Sequence, residues 1–105
     1  VTVDALHFLR AGGRPQQLAE LDAALIGHVR LCDGMLGGPD DEARHHRMIP
    51  GEGELPLREF IAALPPGLPL GLEVPQSSLG LAGMPDRERI SALVSATRSF
   101  ATGLL

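Results

Sequence analysis

Three short runs in this chain gather apolar residues in the manner of β-strands. Val1 to Phe8 is rich in β-branched and apolar residues and is stopped by Gly12-Gly13; Leu25 to Cys32 reads LIGHVRLC and ends at Asp33-Gly34; Leu68 to Val74 reads LPLGLEV. Runs of this length bounded by Gly and Pro predict strands. Between them the apolar spacing is helical. Pro15 suits the first turn of a short helix over Pro15 to Ala23, with Leu18 and Leu21 apolar. From Pro56 onward Leu57, Phe60, Ile61 and Leu64 fall at i, i+3, i+4 and i+7 until Pro65-Pro66 stops the pattern. A last helix over about Pro85 to Thr102 presents Ile90, Leu93, Val94, Thr97 and Ala101 on one stripe, with Gly103 as its stop. Residues 33 to 55 form a long Gly-rich polar loop, a length that in small domains usually serves function or stays unstructured. The order strand, helix, strand, loop, helix, strand, loop, helix predicts βαβ connections and a parallel sheet.

Side chains on a strand alternate between its two faces, so each run splits by parity. Val1, Val3 and Ala5 oppose Thr2, Asp4 and Leu6; Leu25, Gly27, Val29 and Leu31 oppose Ile26, His28, Arg30 and Cys32; Leu70, Leu72 and Val74 oppose Gly71 and Glu73. Each strand has one apolar face and one that carries ionisable groups toward its C-terminal end. A doubly wound sheet covers both faces with helices and reads apolar on both. The inner face of a (β/α)8 barrel carries catalytic groups at its C-terminal mouth. Parity therefore predicts an α/β fold of the TIM-barrel kind. A whole barrel needs eight strands and about 250 residues, so residues 1–105 are expected to form its C-terminal part, about three βα units. The start at Val1, directly into a strand and without Met, fits a segment cut from a longer protein.

Composition narrows the function classes. The 105 residues carry 9 Arg and no Lys against 13 Asp and Glu, a formal net charge of −4. An acidic chain with no basic run and only three aromatic residues, Phe8, Phe60 and Phe100, lacks the footprint of a nucleic-acid binder. No apolar stretch approaches the ~20 residues that span a bilayer, and no targeting pattern opens the chain. The single Cys32 excludes a disulfide framework and points to a reducing compartment, so a cytoplasmic location is expected.

In their order along the chain, VDALHF, GHVRLCD, RMIPGEGELPL and LGLEVP resemble the sugar phosphate isomerase/epimerase superfamily of xylose isomerase-like TIM barrels. The resemblance covers roughly residues 1 to 75. It implies that Asp4 is a ligand to a catalytic divalent metal (Mn, Mg, Co or Zn) and that His7, in the D-x-x-H pattern, touches substrate oxygens. It further implies that Glu73 is both metal ligand and one of two carboxylates that move a proton, and that Arg47, ahead of Pro50-Gly51, contacts a substrate hydroxyl or phosphate. One position departs from the family. Where its second strand reads H-x-H, with the second His on the metal, this chain has His28 and Arg30. A guanidinium has no lone pair to donate, so either His28 substitutes as the ligand or the metal site is altered or lost.

Plainer readings stand beside these. Asp4 or Glu73 can pair with Arg30 as a structural ion bridge, while Arg30 also suits a substrate phosphate or carboxylate. His7 can simply close a strand end, and His28 can be a satisfied core histidine. His45 and His46, Asp40, Asp41 and Glu42 read as solvated loop, and Cys32 as a small buried hydrophobe. The expected function is a divalent-metal-dependent isomerase or epimerase that acts on a small sugar, sugar phosphate or polyol ketone through an enediolate. The alternatives are a dehydratase of the same superfamily and a non-catalytic sugar-binding barrel whose metal site has decayed. A related DNA-repair endonuclease would need more His and Asp ligands and a basic surface. The expected partners are a carbohydrate substrate and, across open sheet edges, a second copy or the missing part of the barrel. No nucleic acid or membrane partner is expected, and the segment alone is expected to be inactive.

Overall fold

A computed structural model of the chain describes residues 1–37, 47–75 and 83–102. Its centre is a three-stranded parallel sheet in the order β1 (Thr2–Asp4), β2 (His28–Leu31), β3 (Leu70–Leu72). The register aligns Thr2 with His28, Val3 with Val29 and Asp4 with Arg30, then Val29 with Leu70, Arg30 with Gly71 and Leu31 with Leu72. Pairing runs one residue past β3, where the Glu73 N–H donates to the Leu31 carbonyl at 3.0 Å. The strand–helix alternation and parallel sheet agree with the sequence pattern.

The first element is shorter than expected. The strand ends at Asp4 and a helix, α1 (Ala5–Arg10), begins at once, because the Asp4 carboxylate caps it by accepting the His7 N–H at 3.1 Å. A β-branched run followed by Asp and then Ala-Leu-His-Phe-Leu is a strand feeding a capped helix; the apolar character of Leu6 and Leu9 serves the helix face, where both are buried. The second helix, α2 (Pro15–Ala19), has Pro15 in its first turn as expected, and the Gln17 Oε1 accepts the Arg14 N–H at 2.7 Å. It stops four residues early because Asp22 caps a separate turn of 3-10 helix, Ala23–Leu25, through the Ala24 N–H at 3.0 Å. β2 therefore starts at His28 rather than Leu25.

α3 (Leu57–Ala63) buries Leu57, Phe60 and Ile61. These pack with Leu6, Leu9, Leu18, Val29 and Leu31 into one core on the apolar side of the sheet. The Phe8 and Phe60 rings meet at 6.2 Å, tilted by 55°. α4 (Asp86–Ala101) has Asp86 and Glu88 in its first turn, where they complement the helix dipole. Its apolar stripe is only partly covered: Leu93, Val94, Thr97 and Ala101 are half-buried, while Ile90, placed on that stripe by the sequence pattern, is 58% exposed. Phe100, under the Arg58 guanidinium at 4.8 Å, and close to Gly51, ties the end of α4 to the loop before α3.

The described end of the long loop is held by one carboxylate. Asp33, 2% exposed, pairs through its backbone with Met48 in an antiparallel bridge. Its side chain accepts the N–H groups of Gly34 at 2.9 Å, Gly51 at 2.9 Å and Leu55 at 3.1 Å. Gly53 lies against this knot so closely that a Cβ there would sit 2.5 Å from the Asp33 Oδ1 and 2.6 Å from the Gly34 carbonyl. Asp40, Asp41, Glu42, Arg44, His45 and His46 lie outside the described residues. Replacing Asp33 with Ala strands these backbone donors, each worth about 1–3 kcal/mol when buried without a partner. The Asp33→Ala variant should lose about 3 kcal/mol in urea denaturation; a loss under about 0.5 kcal/mol would show that the carboxylate does not hold the loop.

Candidate functional site

The register brings the polar parity set onto one face of the sheet. Asp4, Arg30 and Gly71 form a single rung, His28 lies one rung deeper beside Thr2, and Glu73 follows at the C-terminal end of β3. The opposite face carries the buried Val3, Val29 and Leu31. On the polar face Arg30 and Glu73 are exposed, and neither side chain has a hydrogen-bond or ion partner among the described residues.

Asp4 has both oxygens engaged. Oδ1 caps α1, and Oδ2 receives the Arg47 Nη1 at 2.8 Å, with the two side chains only 12% and 7% exposed. The Arg47 Nη1 also lies 3.6 Å from the Cys32 Sγ, and its Nη2 lies 3.2 Å from the His7 Nε2. Because a guanidinium only donates, the His7 Nε2 is the acceptor in this contact. The backbone fixes Arg47 from both sides. Its N–H donates to the Pro75 carbonyl at 2.9 Å, just beyond β3, and the next residue, Met48, is bridged to Asp33, just beyond β2. Burial opposes the charge of Arg47, yet the hydrogen bond and charge of Asp4, with smaller contributions from Cys32, outweigh it and raise the guanidinium above its ordinary value.

The ion bridge that the sequence allowed between a carboxylate and Arg30 is thus made by Arg47 instead. His28 leans the other way. A Cβ at position 71 would sit 2.7 Å from the His28 Nε2, so the imidazole lies over Gly71 on β3, on the far side of β2 from Asp4. The absent side chain at Gly71 is what admits it. The backbones of β1 and β3 are roughly 10 Å apart, two strand spacings, and among the described residues no group of three or more His, Cys, Asp and Glu side chains gathers to hold a metal ion. A cleft of about 730 Å³ at the other end of the sheet is lined, among the described residues, by Ile61, Leu64, Pro65, Pro66, Leu68 and Leu70, none of them titratable.

No protein-family model matches this sequence. No curated protein matches it either. Solved structures do. A xylose isomerase domain protein from Alicyclobacillus acidocaldarius subsp. acidocaldarius superposes with a TM-score of 0.59 at 24% identity over 93% of this chain, and the IolI protein with a bound zinc atom superposes with a TM-score of 0.66 at 19% identity over 99%. Both are TIM barrels of the xylose isomerase-like kind. The chain has the fold of part of such a barrel. It spans 38% and 36% of the lengths of these two proteins.

In barrel terms the polar face is the inner wall, and Asp4, Arg30 and Glu73 stand toward its C-terminal mouth, where barrel enzymes place their chemistry. The sequence pattern located this face, Cys32 included, but missed what two residues do there. Asp33 read as a strand-ending Asp-Gly turn, and only its burial reveals the carboxylate that fixes the approach of Arg47. Cys32 is buried as expected, yet it is also the sulfur against the Arg47 guanidinium.

Burial pushes the Cys32 thiol up from 9.0 to about 11, against the opposing pull of Arg47. A thiol whose pKa is raised in the fold favours the folded state fully below the unfolded value, and this contribution fades as pH climbs through the folded one. The chain has no Lys and no Tyr, so no other side chain titrates in that window. Stability should therefore fall between about pH 9 and pH 11, by on the order of 2–3 kcal/mol, and the Cys32→Ala variant should lack that fall when both are followed by denaturant titration across the range.

Proposed function

We propose that this polar wall is a substrate site for small polyhydroxy carbonyl compounds, where an isomerase or epimerase moves a proton next to the carbonyl. The observation that carries the reading is Glu73: an exposed carboxylate with no side-chain partner among the described residues, at the C-terminal end of a strand in a xylose isomerase-like barrel fold. A carboxylate in that position can take the proton from the carbon beside a substrate carbonyl. The C–H electron pair then moves into the C–C bond, the carbonyl electrons move to oxygen, and an enediolate results; the Glu73 carboxylic acid returns the proton to a carbon of that enediolate. Arg30, three positions before Asp33 and on the same rung as Asp4, puts a permanent cation on the same face, where it lowers the cost of the oxyanion. His7 and the held guanidinium of Arg47 border it and suit substrate hydroxyls or a phosphate. Expulsion of a neighbouring hydroxyl from the same enediolate makes the dehydratase version.

A divalent ion, as in the zinc-bound IolI structure, would by resemblance fall to Asp4, Glu73 and His28. These do not fit it as placed: Asp4 is engaged by Arg47, and His28 lies over Gly71. Arg30 at the expected ligand position also favours a second reading, a non-catalytic sugar-binding barrel. In either reading the substrate is a carbohydrate. The outer edges of β1 and β3 are expected to take further strands, from the rest of a barrel or a second copy, and a reducing, cytoplasmic setting fits the single Cys32. Among the described residues no helix is long and apolar enough to cross a membrane.

Proton exchange separates catalysis from mere binding. In the full-length protein, incubated in deuterated water with a panel of small ketoses, deuterium should enter the carbon beside the carbonyl. Glu73→Gln should slow this by about 10²–10⁴-fold, the usual worth of a general acid–base group. Exchange that persists at the parent rate in Glu73→Gln would remove Glu73 from the chemistry, and binding without exchange in the parent would favour the second reading.

A further inference from the structure

We infer that Arg47 is a built-in cation that occupies the place of a divalent metal at Asp4, so that the site is assembled and kept without one. The inference deepens the reading of this face as a substrate site and concerns what neutralises its carboxylates. Asp4 is the one carboxylate of the wall that is largely buried, and both its oxygens are in use, one by the His7 N–H and one by the Arg47 Nη1 at 2.8 Å. For a metal to bind at Oδ2, a guanidinium that stays protonated at any ordinary pH must leave a pocket where its side chain is only 7% exposed.

Arg47 is not a swinging surface cation. Its backbone is tied to the Pro75 carbonyl at 2.9 Å on the β3 side, and through Met48 to Asp33 on the β2 side. The Asp33 carboxylate holds the following turn by the N–H groups of Gly51 and Leu55. Departure of the guanidinium would also break its contacts to the His7 Nε2 at 3.2 Å and the Cys32 Sγ at 3.6 Å. The charge balance agrees: Asp4 and Glu73 face Arg30 and Arg47, so the described wall is formally neutral before any ion arrives. The remaining nitrogen donor of the wall, the His28 Nε2, lies over Gly71, across β2 from Asp4.

Metal content tests this without substrate, so its outcome is independent of whether Glu73 moves a proton. The full-length protein and three variants, Arg30→His, Arg47→Met and the double substitution, are stripped with chelator, titrated with Mn²⁺ and Zn²⁺ by calorimetry, and analysed for bound metal after dialysis. The parent and Arg30→His should both lack stoichiometric metal, because in each Arg47 still sits on Asp4. The double variant, with the cation gone and an imidazole restored beside Asp4, should take up about one equivalent. Stoichiometric metal in the parent, or its appearance in Arg30→His alone, would overturn the inference, as would a double variant that is folded by circular dichroism and still binds none. Should Arg47→Met and the double variant fail to fold, the parent and Arg30→His still decide it. Arg30 has no described partner to lose, so this substitution leaves the fold in place and reads only whether a restored ligand is enough.

Discussion

A guanidinium buried against a carboxylate is the constraint around which this molecule is arranged. Taking both charges out of water is expensive, and the attraction between them repays it only where geometry is good and the remaining donors find partners. The Arg47–Asp4 pair meets those terms: a short contact, a capping N–H on the second carboxylate oxygen, and an imidazole nitrogen and a thiol around the guanidinium. The surrounding backbone can be read as the apparatus that delivers these two residues, 43 positions apart, to one point. β1 and its capped helix present Asp4. The Asp33 knot and the Pro75 carbonyl present Arg47. Removal of either partner leaves a buried charge behind, which typically costs about 3–5 kcal/mol, so the pair is also a strong selector of the folded chain over looser packings.

Much of the sheet was legible from the chain because parity is a local property. Val3, Val29, Leu31 and Leu70 on one side and Asp4, His28, Arg30 and Glu73 on the other follow from alternation alone, and the register places them as that alternation requires. Where capping competes with β propensity the pattern misleads. Asp4 reads as one more strand residue until its carboxylate is seen to start a helix, and D-x-x-H is then the spacing of an N-cap and its third residue. The ligand-like signature and the capping signature are the same four letters.

What the chain could not reveal is long-range pairing. Nothing local distinguishes Arg47 from Arg30 as the partner of Asp4, and Arg30 is even the nearer in sequence; the difference is that a loop folded against Asp33 carries Arg47 inward while the strand leaves Arg30 exposed. Asp33 was hidden for the same reason, since an Asp-Gly pair at a strand end is a common turn and its partners lie up to 22 residues away. Gly71 is a third case: it looks like a weak point in a strand, and it is the opening through which His28 reaches across the wall.

The hydrogen bond from the Arg47 N–H to the Pro75 carbonyl joins two segments that leave different strands. In barrels these segments are usually treated as separate grafts, each free to lengthen or change as the scaffold acquires a new substrate. Here the segment after β2 and the segment after β3 share a main-chain bond that, short of a proline at position 47, no substitution of either side chain removes. They form one interlocked rim. An insertion that shifts Pro75 moves Arg47, and with it the charge state of the first strand, so this part of the mouth changes as a unit or not at all.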